Sequence, residues 1–355
     1  MKLRKSNFEL LRVVSIVCII LYHSVWHSGV AYTAISGNKI LVDFLDMLGE
    51  LGVNCFMLIS GYFFLKTKFK LSKVIKISLE ASFYVFLGIG VLKLIGDTSG
   101  VNWWLPKGFF PILNEAYWFL TVYMLVYLFT PILKKLILVL SKRQLTMFLG
   151  IVIFIWSVWP TMLGLITNET EGYVFYNRFI WGGLMFLVGA YIRMYSPRIL
   201  DKLKNTVILF LGSTGLMILP ILIIEFCGIK GITANFFWRP NSVLMLIWSI
   251  SLFLLFRKLE IKENKWINLL ASTTLGIYLL HDGPMRYFLW DKVFKIKYYS
   301  ESGYFGFYLL LVAGIIFLVG FGVNLIWKFF ERMILDKFFD NIRIQKLMKK
   351  IEFYE

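Results

Sequence analysis

The sequence predicts an all-α, polytopic membrane helix bundle of about ten transmembrane helices, with both termini in the cytoplasm. Three observations predict it. First, 59% of the 355 residues are hydrophobic and the mean hydropathy is +0.73, whereas a soluble chain is about half apolar. Second, apolar runs of membrane length, ~20 residues for each crossing, recur from one end to the other. Third, basic residues cluster at every second connection between those runs, the positive-inside pattern. The regular recurrence argues for one unit over residues 1–355, with no appended soluble domain.

The runs fall at 8–28, 44–65, 74–95, 116–138, 146–166, 175–195, 206–227, 240–257, 268–285 and 304–328. The first follows a Lys/Arg-rich start that resembles a signal peptide. No small-x-small cleavage site follows it, so it reads as a retained signal-anchor helix. "KTKFKLSK" joins runs two and three, "KKLILVLSKR" four and five, "RMYSPRILDKLK" six and seven, and "RKLEIKENK" eight and nine. With the two termini and the run ends that adjoin these segments, 28 of the 38 Lys and Arg lie on one side, which is the cytoplasmic side. The exception is "RYFLWDKVFKIKYYSE", an outer loop carrying Arg286, Lys292, Lys295 and Lys297. The same distribution removes nucleic acid as the meaning of the net charge of +17, because the positive charge alternates with nearly uncharged loops. Cys18, Cys55 and Cys227 have no metal-ligand spacing, and their odd number gives no disulfide framework. They read as small apolar residues, and no metal is expected.

The outer loops "DTSGVNWWLPKGFFP", "TNETEGYVFYNR" and "CGIKGITANFFWRP" are rich in Trp, Phe, Asn and Gly. An interfacial aromatic belt with turn residues explains them. So does a platform for a sugar, whose apolar faces stack on rings while amides bind hydroxyls. Trp118 at the outer edge of run four, with Arg178 and Arg239 at the ends of the two later loops, are the candidate acceptor-binding residues. "NET" at Asn168 fits a glycosylation pattern.

The chain has three histidines, and two of them are expected deep in helices. Arg12 and His23 are eleven residues apart, three turns plus ~20°, so they share a helix face ~16 Å apart along the axis. Glu9, at i−3, can pair with Arg12. His27, at i+4 from His23, lies at the interface and reads as an ordinary edge residue. His281, in "STTLGIYLLHDG", is thirteen residues into run nine, and His23 is fifteen into run one. Both runs are read from inside to outside, so the two imidazoles are expected at one depth. Asp282 could orient a ring nitrogen, although adjacent helix residues do not share a face. Ionisable groups at such depth normally face an interior cavity, although snorkelling of Arg12 and packing of His23 are the ordinary alternatives. Ser60-Gly61 in run two lets a backbone or a ligand approach closely.

Together these stretches resemble membrane-bound acyltransferase family 3, the integral membrane O- and N-acyltransferases of glycans. Arg12 and His23 match its Arg-ten residues-His pattern. "FMLISGYFF", "YWFLTVYMLVYLFTP", "FLVGAYI" and "LGIYLLH" match its later motifs in order. Where the family often carries an arginine pair after the second helix, this chain offers Lys73 and Lys76. The resemblance implies acyl transfer, with acetyl the expected group, from cytoplasmic acyl-CoA as co-substrate to a sugar hydroxyl or amine outside, in a bacterial plasma membrane. It implies no bound cofactor. His23 and His281 become the catalytic candidates, with His23 as general base or as acyl carrier. Arg12, Glu9, Lys73, Lys76, Ser60 and Gly61 become the donor-side candidates, Arg12 and the lysines for CoA phosphates and Ser60 or amides near Gly61 for the oxyanion. The rival class is a transporter or flippase of a glycan, a lipid-linked sugar or a small anion. The absence of an internal repeat and of paired broken helices weakens it. A non-catalytic assembly partner is a third reading. The sequence does not set the oligomeric state.

The topology is open to test. In a cysteine-free version carrying single cysteines, an impermeant maleimide applied to intact cells is expected to spare the "KTKFKLSK" loop. Labelling there would reverse the assignment of sides.

Overall fold

The computed structural model describes residues 5–31, 36–98, 100–167, 176–196, 198–227 and 239–351. These residues are helical and contain no strand. Asn168 lies outside them. The first helices are α1 (Ser6–Trp26), α2 (Gly37–Phe64), α3 (Leu71–Leu94), α4 (Val101–Phe109), α5 (Trp118–Leu128) and α6 (Thr130–Val139). Then come α7 (Lys142–Ile153), α8 (Trp159–Thr167), α9 (Arg178–Tyr195), α10 (Leu203–Cys227) and α11 (Val243–Lys258). The last are α12 (Lys265–Ala271), α13 (Thr274–His281), α14 (Ile296–Tyr299), α15 (Phe305–Phe330), α16 (Lys337–Asp340) and α17 (Ile342–Ile351). Side-chain caps fix several starts: Ser36 accepts from the Lys39 amide, Ser242 from Met245, Asn264 from Trp266 and Ile267, and Ser141 with Gln144 forms a capping box.

Each predicted run overlaps helix among the described residues, but the ten are not alike. Among the described residues five helices are long and apolar enough to cross a bilayer: Ser6–Trp26, Leu71–Leu94, Lys142–Gly164, Leu203–Ile224 and Phe305–Asp340. A sixth arises if α5 and α6, bent by 54°, count as one span. Pro131 sits in the first turn of α6 and removes a donor where the run was expected to continue. The third of the five contains a π-helical turn at Phe154–Val158. The remaining predicted runs fall on α2, α9, α11 and α12–α13. α11 has 16 residues and the ninth run is split into helices of 7 and 8 residues, so neither has the length of a full crossing.

Helix α1 is the axis of the bundle. Of its apolar window 61% is buried, against 17–33% for the other four long helices. It packs on α2, α11, α12, α13 and α15. Its first turn is tied down by polar side chains. Ser6 donates to the Asn268 carboxamide oxygen at 3.1 Å and accepts from the Asn264 amide at 2.8 Å, and Asn7 donates to the Phe256 carbonyl at 2.9 Å. These bonds join the start of α1 to the end of α11 and the start of α12, so α1 and the α12–α13 pair set out from one level.

α2 meets α9 through small residues. A Cβ on Gly61 would lie 1.8 Å from the Phe186 carbonyl oxygen, and one on Gly189 would lie 2.2 Å from that of Leu58. Gly61 is therefore the contact point of two backbones, the packing role expected of such motifs. The three cysteines are free thiols. The segment that broke the charge pattern is also structural: it folds as a π-helical turn, Phe288–Val293, whose Trp290 is fully buried.

Gly61→Val and Gly189→Leu are expected to force α2 and α9 apart, at a cost of about 1–3 kcal/mol or more. The check is a lowered midpoint of thermal aggregation in detergent, with the exposed Gly150→Ala, which meets open space, as the unaffected control.

Candidate active site

His23 and His281 meet. His23 Nδ1 lies 3.0 Å from His281 Nε2, and His281 Nδ1 lies 2.6 Å from the Ile277 carbonyl oxygen. His23 is 5% exposed and His281 fully buried. A carbonyl oxygen only accepts, so His281 Nδ1 carries its proton. With both rings neutral, His281 Nε2 is then an acceptor, and His23 Nδ1 must donate to it. The lone pair of His23 is left on Nε2. One backbone carbonyl thus fixes two tautomers in series.

Asp282 does not orient His281, as the sequence suggested it could. α13 stops at His281, with Pro284 close behind, and Asp282 leaves the helix as its C-terminal cap. Its carboxylate turns to α1 and meets His27 Nε2 at 3.0 Å, with Arg286 at 4.0 Å. His27 is therefore part of the cluster rather than an ordinary edge residue. The rings of His23 and His27 are 4.8 Å apart, one turn along a single face. The i, i+4 spacings His23–His27 and Asp282–Arg286 were the signal for this second pair. Arg286 also accounts for one of the four basic residues in the anomalous outer loop. Ligand-type atoms of His23, His27 and Asp282 come within 4.8 Å of one another and could hold a divalent cation, but each of these side chains already lies within hydrogen-bond distance of a protein partner or beside one that is.

His23, His27 and Asp282 line one end of a cavity of about 780 Å³. Asp46 and Glu50 of α2 form part of another wall, and the Glu50 Oε1 atom is buried without a hydrogen-bond partner. The aromatic loop after α3 folds as α4 and contributes Trp103, Trp104 and Lys107. Trp118, Arg178 and Arg239, the acceptor candidates, all line this cavity. Arg178 lies over the Trp118 ring at 4.7 Å and 3.7 Å from Glu115.

A second cavity, of about 130 Å³, holds the donor candidates Arg12, Ser60 and Lys73. Arg12 donates to the Glu9 carboxylate at 3.0 Å, the pair expected from their spacing. Lys73 donates to the Tyr123 hydroxyl at 2.9 Å and sits 4.4 Å from the centre of the Tyr127 ring. Ser60 donates to the Phe56 carbonyl and lies with Arg12, not with the histidines, which removes it from the oxyanion position near His23. Gly61 is spent on the α9 contact and does not line the cavity. Lys76 is elsewhere too: it is bound by Asp336 and, at 3.7 Å, Glu331, the acids that follow α15. The two cavities are close. Phe119 lines the larger and Tyr123 the smaller, and they are one turn apart on α5.

A buried imidazole pair at the wall of an aromatic cavity, with a cationic cavity nearby, suits group transfer, and the sequence comparison agrees. A family profile described as an acyltransferase domain matches residues 5–327. The chain belongs to acyltransferase family 3. It is a membrane acyltransferase, and the match covers every residue of both cavities. Neither the curated proteins nor the solved structures yield a match.

His281 does not line the larger cavity and meets His23, so its position suits an effect through His23. His281→Ala is expected to lower acyl transfer by about 10²-fold, within the range of lost acid–base catalysis. His281→Gln should recover part of it, because its amide oxygen can accept from His23 Nδ1. Equal loss in both variants, at matched thermal stability, would count against the tautomer role.

Proposed function

We propose that this acyltransferase moves an acyl group, acetyl in the first instance, from cytoplasmic acyl-CoA to a hydroxyl or amine of a cell-surface glycan or its lipid-linked precursor, in the plasma membrane of a bacterium. The observation that carries the reading is the position of His23. His23 lines the larger cavity and its Nδ1 is taken by His281, which leaves Nε2 as its basic atom, while a cationic cavity lies at the other end of the same helix face.

The smaller cavity suits the donor. Arg12 and Lys73 offer two fixed cations for CoA phosphates, with Glu9 holding the guanidinium. The pantetheine arm is about as long as the ~16 Å rise from Arg12 to His23, and the linings of the two cavities come within one turn of each other on α5 and about two turns on α1 and α2. The larger cavity suits a sugar. Trp103, Trp104 and Trp118 supply ring faces or edges, and Asp46, Glu50, Arg178 and Arg239 supply hydrogen-bonding groups. The basic clusters at alternate connections put the Arg12 end inside and the His27 end outside. His23 Nε2 is then the atom that meets the incoming acyl carbon or the acceptor's proton.

A transporter would also have a charged mouth and buried polar residues, so the deciding experiment is chemical. Purified protein in detergent is expected to release more than one equivalent of free CoA per protein from acetyl-CoA only when an acceptor glycan is supplied. His23→Ala should abolish that release while the protein stays monodisperse. Arg12→Ala should raise the KM for acetyl-CoA about tenfold, equivalent to ~1.4 kcal/mol, with the acceptor KM unchanged and Arg12→Lys intermediate. A His23→Ala protein with near wild-type turnover, or vesicles that move an intact glycan with no thioester cleaved, would overturn the reading.

A further inference from the structure

The cluster contains one base more than a single proton transfer needs. His23 Nε2 has its lone pair because His23 Nδ1 donates to His281 Nε2. His27 is independent of that chain. Its Nε2 faces the Asp282 carboxylate at 3.0 Å, and a carboxylate only accepts, so Nε2 carries the proton and Nδ1 of the neutral ring carries the lone pair. Asp282 is itself held by Arg286 at 4.0 Å. The two basic nitrogens belong to rings 4.8 Å apart, both on the wall of the larger cavity. His27 is the further of the two from Arg12 along α1.

We infer that the His27–Asp282 pair is a second catalytic dyad, the base that takes the acceptor's proton, and that His23 is the carrier of the acyl group. This rests on the acyl-transfer reading above and assigns the division of labour within it. In the first step His23 Nε2 attacks the thioester carbonyl carbon. The C–S bond breaks, CoA leaves as the thiolate, and the proton on His23 Nδ1 passes to His281 Nε2, leaving a neutral acyl-imidazole. In the second step His27 Nδ1 takes the proton of the acceptor hydroxyl. The acceptor oxygen attacks the acyl carbon, the C–N bond breaks, and its electron pair returns to His23 Nε2. His281 returns its proton to His23 Nδ1. The proton on His27 goes to solvent, which supplies one to the CoA thiolate, so acyl-CoA and alcohol become ester and CoA thiol.

The arrangement gives each nitrogen one task. If His23 were the acceptor's base, its lone pair would be engaged by that proton and Asp282 would have no bonded role in the transfer. With His27 as the base, Asp282 fixes its tautomer and stabilises the imidazolium that forms, the part a carboxylate plays beside a catalytic histidine. His23 is left unprotonated on the atom that must attack.

The test separates the half-reactions in full-length protein purified in detergent. Acetyl-CoA with a labelled acetyl group is the donor probe, neutral hydroxylamine is the probe for an acyl-imidazole, and the glycan fraction of the expressing cell's envelope is the acceptor. His27→Asn is expected to release about one CoA per protein and then stop, retaining label that hydroxylamine removes. Its transfer to glycan should fall about a hundredfold. Asp282→Asn keeps an acceptor for His27 Nε2 but loses the charge, and should show the same stall with a loss of about tenfold. His23→Asn should hold no label. Size-exclusion profiles matched to wild type show that the variants are folded, and His27→Gln is the substitute if His27→Asn is not. Wild-type transfer by either His27 variant, or folded His27 variants that hold no label, overturns the dyad while leaving the acyltransferase reading intact. Failure of wild-type protein to release CoA with acceptor present would instead strike the acyltransferase reading itself.

Discussion

The hydrogen bond between His23 and His281 is the constraint around which the bundle is organised. It joins two helices whose sequence positions are 258 residues apart, and it is closed to solvent. An imidazole nitrogen left there without a partner would cost about 1–3 kcal/mol. Satisfying both rings in series requires the Ile277 carbonyl, the end of α13 and the face of α1 to be in register. The polar stitches at the other end of α1, from Ser6 and Asn7 to α11 and α12, set that register over the length of the helix. A central helix held at both ends by named polar pairs cannot slide by a turn without breaking several of them at once.

Around that axis the packing uses small residues where backbones must approach and aromatic residues where space must be closed. Gly61 and Gly189 bring α2 and α9 together. Tyr117 donates to the Leu279 carbonyl at 3.0 Å, and Trp290 packs its ring against His281, so α13 is held from two sides. On α15, Asn324 donates to Glu80 at 2.7 Å and to the Tyr84 hydroxyl at 3.2 Å, tying α15 to α3. The polar groups inside the bundle are thus largely paired, while those facing the larger cavity include Glu50 Oε1 and Tyr278, whose hydroxyl is buried without a well-formed hydrogen bond. Arg286 adds a third such atom, its Nε, to the wall of that cavity.

Much of this was legible in the sequence, and the parts that were not have physical causes. The periodic apolar runs gave the helical class, and counting along two runs of the same direction brought His23 and His281 to one depth. The i−3 spacing gave Glu9 with Arg12. The outer aromatic loops gave Trp118, Arg178 and Arg239 their common cavity. Counting could not show that the ninth run breaks at Ser272–Thr273, or that Pro131 bends the fourth, because hydropathy does not register the direction of a helix axis. It also could not show that Lys76 is claimed by acids 255 and 260 positions away, a pairing set only by tertiary contact. Ser60 and Gly61 illustrate the limit of adjacency. Neighbours in a helix point about 100° apart, and here one lines a cavity while the other touches a backbone. His27 is legible only through its i+4 spacing from His23, because an interfacial histidine is ordinary until an acid is found opposite it.

The single turn of α5 between Phe119 and Tyr123 has an electrical meaning. On the proposed topology each cavity is an aqueous inlet from one side, so most of the potential difference across the membrane falls over that short partition. A charge moved through it would exchange about 2.3 kcal/mol with each 100 mV. The phosphates of a CoA donor stay on the Arg12 side. On the proposed scheme the acetyl group leaves a thiolate on the inner side and releases the acceptor's proton on the outer side, so each transfer moves one elementary positive charge outward and a negative-inside voltage opposes it by that amount.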